Sequence, residues 1–130
     1  MLSSQSPRPE PSDPKNGRLG RTVGALGATL AVALSLSVPG EWVPRFSPTT
    51  EFAVHSLAFA GVCGLWALRQ RARLGGVLAI GVVAAIGTEV LQQAIVPLRS
   101  GSASDALADV LGVAIGVGAV FLARRRGPDA

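Results

Sequence analysis

Four long stretches of this chain are almost free of charge, and short polar or basic segments separate them. Residues 22–38 are uncharged and close on Pro39-Gly40. Residues 52–68 are uncharged, with His55 as their one strongly polar member. Residues 75–97 are interrupted by Glu89, Gln92 and Gln93, and residues 105–123 open with Asp105 and Asp109 and are otherwise apolar. About 20 residues of helix cross a hydrocarbon core of about 30 Å, and in lipid a lone segment satisfies its own backbone only as a helix. The pattern therefore predicts an all-α membrane protein with four transmembrane helices in a small bundle. A soluble fold is excluded, because 130 residues do not supply enough polar surface to cover four such segments.

Residues 1–20 are rich in Ser, Pro and charged side chains and lack apolar periodicity, which predicts a disordered cytoplasmic tail. The organisation expected is that tail, a membrane domain over residues 21–125 and a short C-terminal tail over 126–130. A chain of this length holds one domain.

Charge supplies an independent test of topology. Apolar residues make up 48% and charged residues 15% of the chain, with a net charge of +4. The basic residues flank hydrophobic runs and are not interleaved with aromatics, so the high pI does not signal a nucleic-acid binder. Arg8, Lys15, Arg18 and Arg21 precede the first run; Arg69, Arg71 and Arg73 lie between the second and third; Arg124, Arg125 and Arg126 follow the fourth. Only Arg45 and Arg99 lie in the two alternate loops. Positive residues stay on the cytoplasmic side, so ten against two predicts both termini in the cytoplasm and a multi-pass protein of the cytoplasmic membrane. A basic start followed by an apolar run also describes a secretory signal, but no strong A-x-A site follows, and the first run is read as a retained span. The single cysteine, Cys63, lies in an apolar run and offers neither a disulfide nor a thiolate metal site.

Ionisable groups within a span are expensive, which makes them functional candidates. His55, Glu89, Asp105 and Asp109 all fall in the outward half of the expected bundle. Glu89, Gln92 and Gln93 share one side of their helix by i, i+3, i+4 spacing, and Asp105, Asp109, Gly112 and Gly116 form one stripe on theirs. His55, Phe59, Val62 and Trp66 form the corresponding stripe on the second run. Arg99, in a Ser/Gly-rich outer loop, is placed to pair with Glu89 or Asp105, to bind an anionic headgroup, or only to anchor the loop. The polar set is a binding pocket, a catalytic site using His55 or Glu89 as general acid or base with Asp105 or Asp109 orienting it, or a network that holds helices together. No nucleophile motif is visible, since Ser100, Ser102 and Ser104 suit turn chemistry. One His among scattered carboxylates is a weak metal signature, and no metal or cofactor is expected. The inner half of each run lacks ionisable residues, which argues against a proton path. Partners expected are the bilayer and a lipid-linked or amphiphilic ligand, with no nucleic acid; the oligomeric state stays open.

Glu89-Val90-Leu91-Gln92, then Pro97-Leu98-Arg99, then Asp105-Ala106-Leu107-Ala108-Asp109-Val110-Leu111-Gly112 resemble the VanZ-like family. That family combines a His near the start of one helix, Glu-x-x-Gln at the end of the next, an Arg in the following loop and Asp-x-x-x-Asn/Asp-x-x-Gly opening the last. His55, Glu89, Gln92, Arg99, Asp105, Asp109 and Gly112 stand at those places in the same order. Family members often carry an Asp-Lys pair ahead of the His; here Glu51 keeps the acid and Phe52 replaces the lysine, and Asp109 stands where Asn is common. The resemblance implies a bacterial cell-envelope membrane protein, with Glu51, His55, Glu89, Gln92, Arg99, Asp105 and Asp109 as binding residues. It also implies a link to glycopeptide susceptibility, the family being named for a member that contributes to teicoplanin resistance.

Overall fold

A computed structural model describes residues 14–44, 46–70, 73–95 and 102–127. It is all-helical: α1 (Pro14–Leu36), a single 3-10 turn (Gly40–Trp42), α2 (Pro48–Arg69), α3 (Leu74–Ile95) and α4 (Ala103–Arg125). Two helix starts are written in the local sequence. The Ser47 hydroxyl accepts the Thr50 N–H at the start of α2 with Pro48 following it, and the Ser102 hydroxyl accepts the Asp105 N–H at the start of α4.

Helices α2, α3 and α4 are each long and apolar enough to cross a membrane. Most of their large side chains point outward: Leu57 and Ile80 are each 72% exposed, and only 17% of the apolar stretch of α3 is buried by protein. Water would make such surfaces costly, so the bilayer is the solvent that fits them. The chain is a multi-pass membrane protein by these three spans.

The expectation for the first helix needs one correction. It begins at Pro14, so residues 14–20, expected in the disordered tail, are helical. The charges of that first segment do not forbid a helix; they only mark where its apolar part starts. That uncharged part, 22–36, then holds 15 residues and extends about 22 Å, short of the full core thickness. Length and composition mark three of the four helices, α2, α3 and α4, as candidate spans.

The bundle is organised around α2 and α4, which run parallel. Ser56 donates through Oγ to the Ala108 carbonyl (3.0 Å) near the start of both helices, and Arg124 Nη2 donates to the Ala67 carbonyl (2.6 Å) near their ends. Glycine makes this approach possible. A Cβ on Gly112 would strike the Ser56 carbonyl and lie 3.0 Å from Phe59 Cβ, and one on Gly116 would strike the Ala60 carbonyl and lie 2.9 Å from the Gly64 nitrogen. The side of α2 that enters this seam is Ser56, Phe59, Cys63 and Ala67. It lies one position round from the expected stripe: His55 and Phe59 belong to it, whereas Trp66 turns to α1, where its indole donates to Thr29 Oγ1 (3.0 Å).

Helix α3 packs on the same seam, with Val113 and Cys63 against Gly81. Helix α1 lies antiparallel along α2, with Thr22 beside Arg69 (2.8 Å from Nε to Oγ1) and Thr29 beside Trp66. Each helix therefore reverses the one before it. At one end of the bundle stand Arg18, Arg21, Arg69, Arg73, Arg124, Arg125 and Arg126; at the other stand Glu41, Glu51, Glu89, Asp105 and Asp109. Among the described residues the two signs of charge are fully segregated.

Candidate functional site

Three helices contribute one ionisable side chain each to a common layer near the acidic end. His55 lies seven residues into α2, Asp109 six residues into α4 and Glu89 six residues before the end of α3, which sets each about 9–10 Å inside its helix end. The parallel α2–α4 seam brings the first two together, and antiparallel α3 brings the third to the same depth.

The geometry is close. The His55 ring nitrogen Nδ1 lies 2.9 Å from Asp109 Oδ1. With Asp109 ionised, its carboxylate can only accept, and in that state Nδ1 donates and a neutral ring presents a lone pair at Nε2. Glu89 Oε2 accepts the backbone N–H of Ser102 at 3.0 Å. Asp109 is 0% and Glu89 6% exposed. Donor atoms of His55, Glu89 and Asp109 all lie within 4.8 Å of one another. One oxygen of each carboxylate, Glu89 Oε1 and Asp109 Oδ2, is buried without a hydrogen-bond partner among the described residues. Buried polar atoms in native proteins are nearly always satisfied, so two orphans in one layer mark a place that a ligand, a proton or an ion completes.

The other sequence candidates fall around this layer and not in it. Glu51 is one helical turn outward from His55 and exposed; Asp105 is one turn outward from Asp109 and half-buried; Gln92 is one turn outward from Glu89 and buried. Gln93, expected on the same side as Glu89, is exposed. Positions i+3 and i+4 diverge by one residue's rotation, about 100°, and on α3 the i+3 position is the buried one. Arg99 lies outside the described residues.

Two serines escaped the sequence reading as parts of the site. Ser56 is buried beside His55 and ties α2 to the turn of α4 that carries Asp109. Ser102 both caps α4 and donates its N–H to Glu89. The spacing of Ser102 and Asp105 is that of a capping motif, which was the available signal for a helix start there. Nothing in the sequence announced the contact of that cap with Glu89, 13 residues earlier.

This arrangement supports two kinds of chemistry. An imidazole oriented by a carboxylate, with a second carboxylate near it, is suited to moving a proton. The same three groups are suited to holding a cation or the hydroxyl and amino groups of a ligand, since their free atoms are acceptors. An apolar groove of about 270 Å³ between α3 and α4, lined by Leu74, Leu78, Val117 and Phe121, lies at the arginine end. At 11 or more residues from Glu89 along α3, or about 16 Å, it is not part of the polar layer. Comparison with protein-family models, with curated proteins and with solved structures finds no match to this chain.

Proposed function

We propose that the chain is a VanZ-like protein of the bacterial cytoplasmic membrane, crossing it four times with both termini inside, whose outward polar layer receives the head of a lipid-linked or amphiphilic molecule. The observation that carries this reading is the buried convergence of His55, Glu89 and Asp109 from three different helices at the end away from the arginines. By the positive-inside rule that end faces outward, where lipid-linked envelope molecules and lipophilic glycopeptides present their polar heads. The free carboxylate oxygens would accept hydrogen bonds from sugar hydroxyls or amines, and Arg99 would engage an anionic group.

The fourth span in this reading is α1. It turns Thr22, Ala25, Thr29 and Val32 toward α2 and leaves Leu19, Val23, Leu26, Leu30 and Leu34 exposed, which is the order of a helix facing lipid. Residues 37–38 and the turn that follows extend its uncharged run toward the outer interface. With α2 entering from outside, a cytoplasmic N-terminus requires α1 to cross.

The test is susceptibility to teicoplanin in a sensitive Gram-positive host expressing the wild-type chain or Glu89→Gln at matched membrane levels. Reduced susceptibility that Glu89→Gln abolishes is the expected result. Equality of wild type with empty vector would remove glycopeptides from the proposal. A second reading, an intramembrane enzyme working by general acid-base chemistry on an envelope lipid, is favoured by the His55–Asp109 hydrogen bond, which holds the imidazole in one tautomer.

A further inference from the structure

We infer that His55, Glu89 and Asp109 form a binding site for a divalent transition-metal ion. The inference does not depend on which molecule the outward layer receives. It begins with charge. Two carboxylates and one imidazole share a buried layer, and a protonated His55 offsets only one of the two negative charges. Every described arginine lies at the opposite end of the bundle; Arg124, for example, is 15 residues beyond Asp109 on α4, about 22 Å away. A dication with a neutral imidazole brings the layer to zero net charge, where low dielectric makes any residual charge expensive.

The unsatisfied atoms point the same way. Asp109 Oδ1 and Glu89 Oε2 have donors in His55 and the Ser102 N–H, while Oδ2 and Oε1, on side chains more than nine-tenths buried, have none. Among the described residues a hydrogen-bond donor is therefore missing for one oxygen of each carboxylate, and a metal ion needs such oxygens free. The donor set of one imidazole and two carboxylates suits Zn²⁺, Mn²⁺ or Fe²⁺, and it is unlike the all-oxygen cages of Ca²⁺. With bonds of about 2.0–2.2 Å, ligand atoms around such an ion stand about 3–4 Å apart. One donor atom from each residue already lies within 4.8 Å of the others, close to that spacing. Three protein ligands leave coordination positions for water or a bound molecule, as catalytic metal sites do. Ser102, holding Glu89, and Ser56, fixing the α4 turn under Asp109, would orient the ligands.

The full chain, purified in detergent without chelator, is assayed for bound metal by mass spectrometry. After treatment with chelator it is titrated with Co²⁺, whose visible absorption reports nitrogen and oxygen ligation. About one equivalent of metal, or one saturable Co²⁺ site, is expected. Glu89→Gln, Asp109→Asn and His55→Gln should each weaken Co²⁺ binding at least tenfold, and Glu41→Gln, at an exposed residue away from the layer, should not change it. Circular dichroism and gel filtration check that each variant is folded. If a variant fails them, the wild-type protein still decides: Co²⁺ or Zn²⁺ should raise its thermal midpoint and chelator should lower it. Folded wild-type protein with neither metal nor a Co²⁺ spectrum, and no thermal response, would overturn the site and leave the carboxylates completed by protons. Co²⁺ binding that survives both Glu89→Gln and Asp109→Asn would overturn it as well. Because these readouts are metal content and spectrum, they stand or fall apart from the teicoplanin result.

Discussion

The α2–α4 seam and the seat of α1 on α2 join helices by opposite means. Along the seam Gly112 and Gly116 bring backbone against backbone, so that Ser56, Ala60 and Gly64 of α2 touch α4 with no side chain between them. Against α1 the contact is made by side chains, through the Thr29–Trp66 and Thr22–Arg69 hydrogen bonds, and among its described side chains Ala25 is the one fully buried hydrophobic. Lipid gives no hydrophobic drive for helices to associate, so close packing of small residues is what remains to hold them. The polar layer is built on the seam and on α3, which packs into it. The lesson is that the site stands on the closely packed pair of helices, while α1 joins the bundle from outside that seam, through side chains such as Val32 at the edge of the core.

The comparison breaks most sharply at glycine. Gly116→Ala puts a methyl group into the Ala60 carbonyl, where no flexible side chain can yield, and should destabilise the protein by about 1–3 kcal/mol. Gly24→Ala on α1 meets nothing within 4 Å, and by helix propensity alone should be neutral or stabilise by up to about 1 kcal/mol. Thermal unfolding in detergent, followed by circular dichroism, compares the two directly. Equal midpoints for both variants would mean that the seam is no closer than the α1 contact.

Within the core the contact of α3 with α4 should show compensation. A Cβ at Gly81 would lie 2.7 Å from a methyl of Val113 and 2.9 Å from Cys63 Sγ, and Val113 is fully buried. Gly81→Ala alone overpacks, and Val113→Ala alone leaves a void; each should cost about 1–2 kcal/mol. Together the small residue gained and the methyls lost partly offset, so the double variant should fall short of the sum of the singles by about 0.5–1 kcal/mol. Strict additivity in a double-mutant cycle would show that α3 does not press on the seam there.

These contrasts also explain what the sequence could reveal. Uncharged runs marked the helices because the bilayer admits little else, and Gly112 and Gly116 marked the seam because only glycine permits such approach. His55, Glu89, Asp105 and Asp109 were visible together in the outward half of the runs once charge had set the direction of each, but which of them share one layer was not. What stayed hidden depended on neighbours. Glu51 and Asp105 are as ionisable as their partners one turn deeper, and only the packing of the bundle decides which turn is covered. Gln92 and Gln93 differ by one position, yet only the first is buried. The start of α1 at Pro14 was hidden for another reason: helix formation by a charged first segment needs no burial, so hydrophobic pattern alone set the boundary too late.

The smallest effect separates α1 from the site. Thr29→Val keeps the shape of the side chain and removes the oxygen that accepts the Trp66 indole N–H. Interhelical hydrogen bonds within membranes average about 0.6 kcal/mol, so the thermal midpoint should shift only slightly. The indole environment should change more visibly, and fluorescence of Trp66 in a Trp42→Phe background reports it. Co²⁺ binding at His55, Glu89 and Asp109 should be unchanged, because Thr29 pairs with α2 eleven residues, about 16 Å, beyond His55. A Thr29→Val variant with altered Co²⁺ binding would show that α1 sets the position of α2 within the site, and α1 would then belong to the functional core.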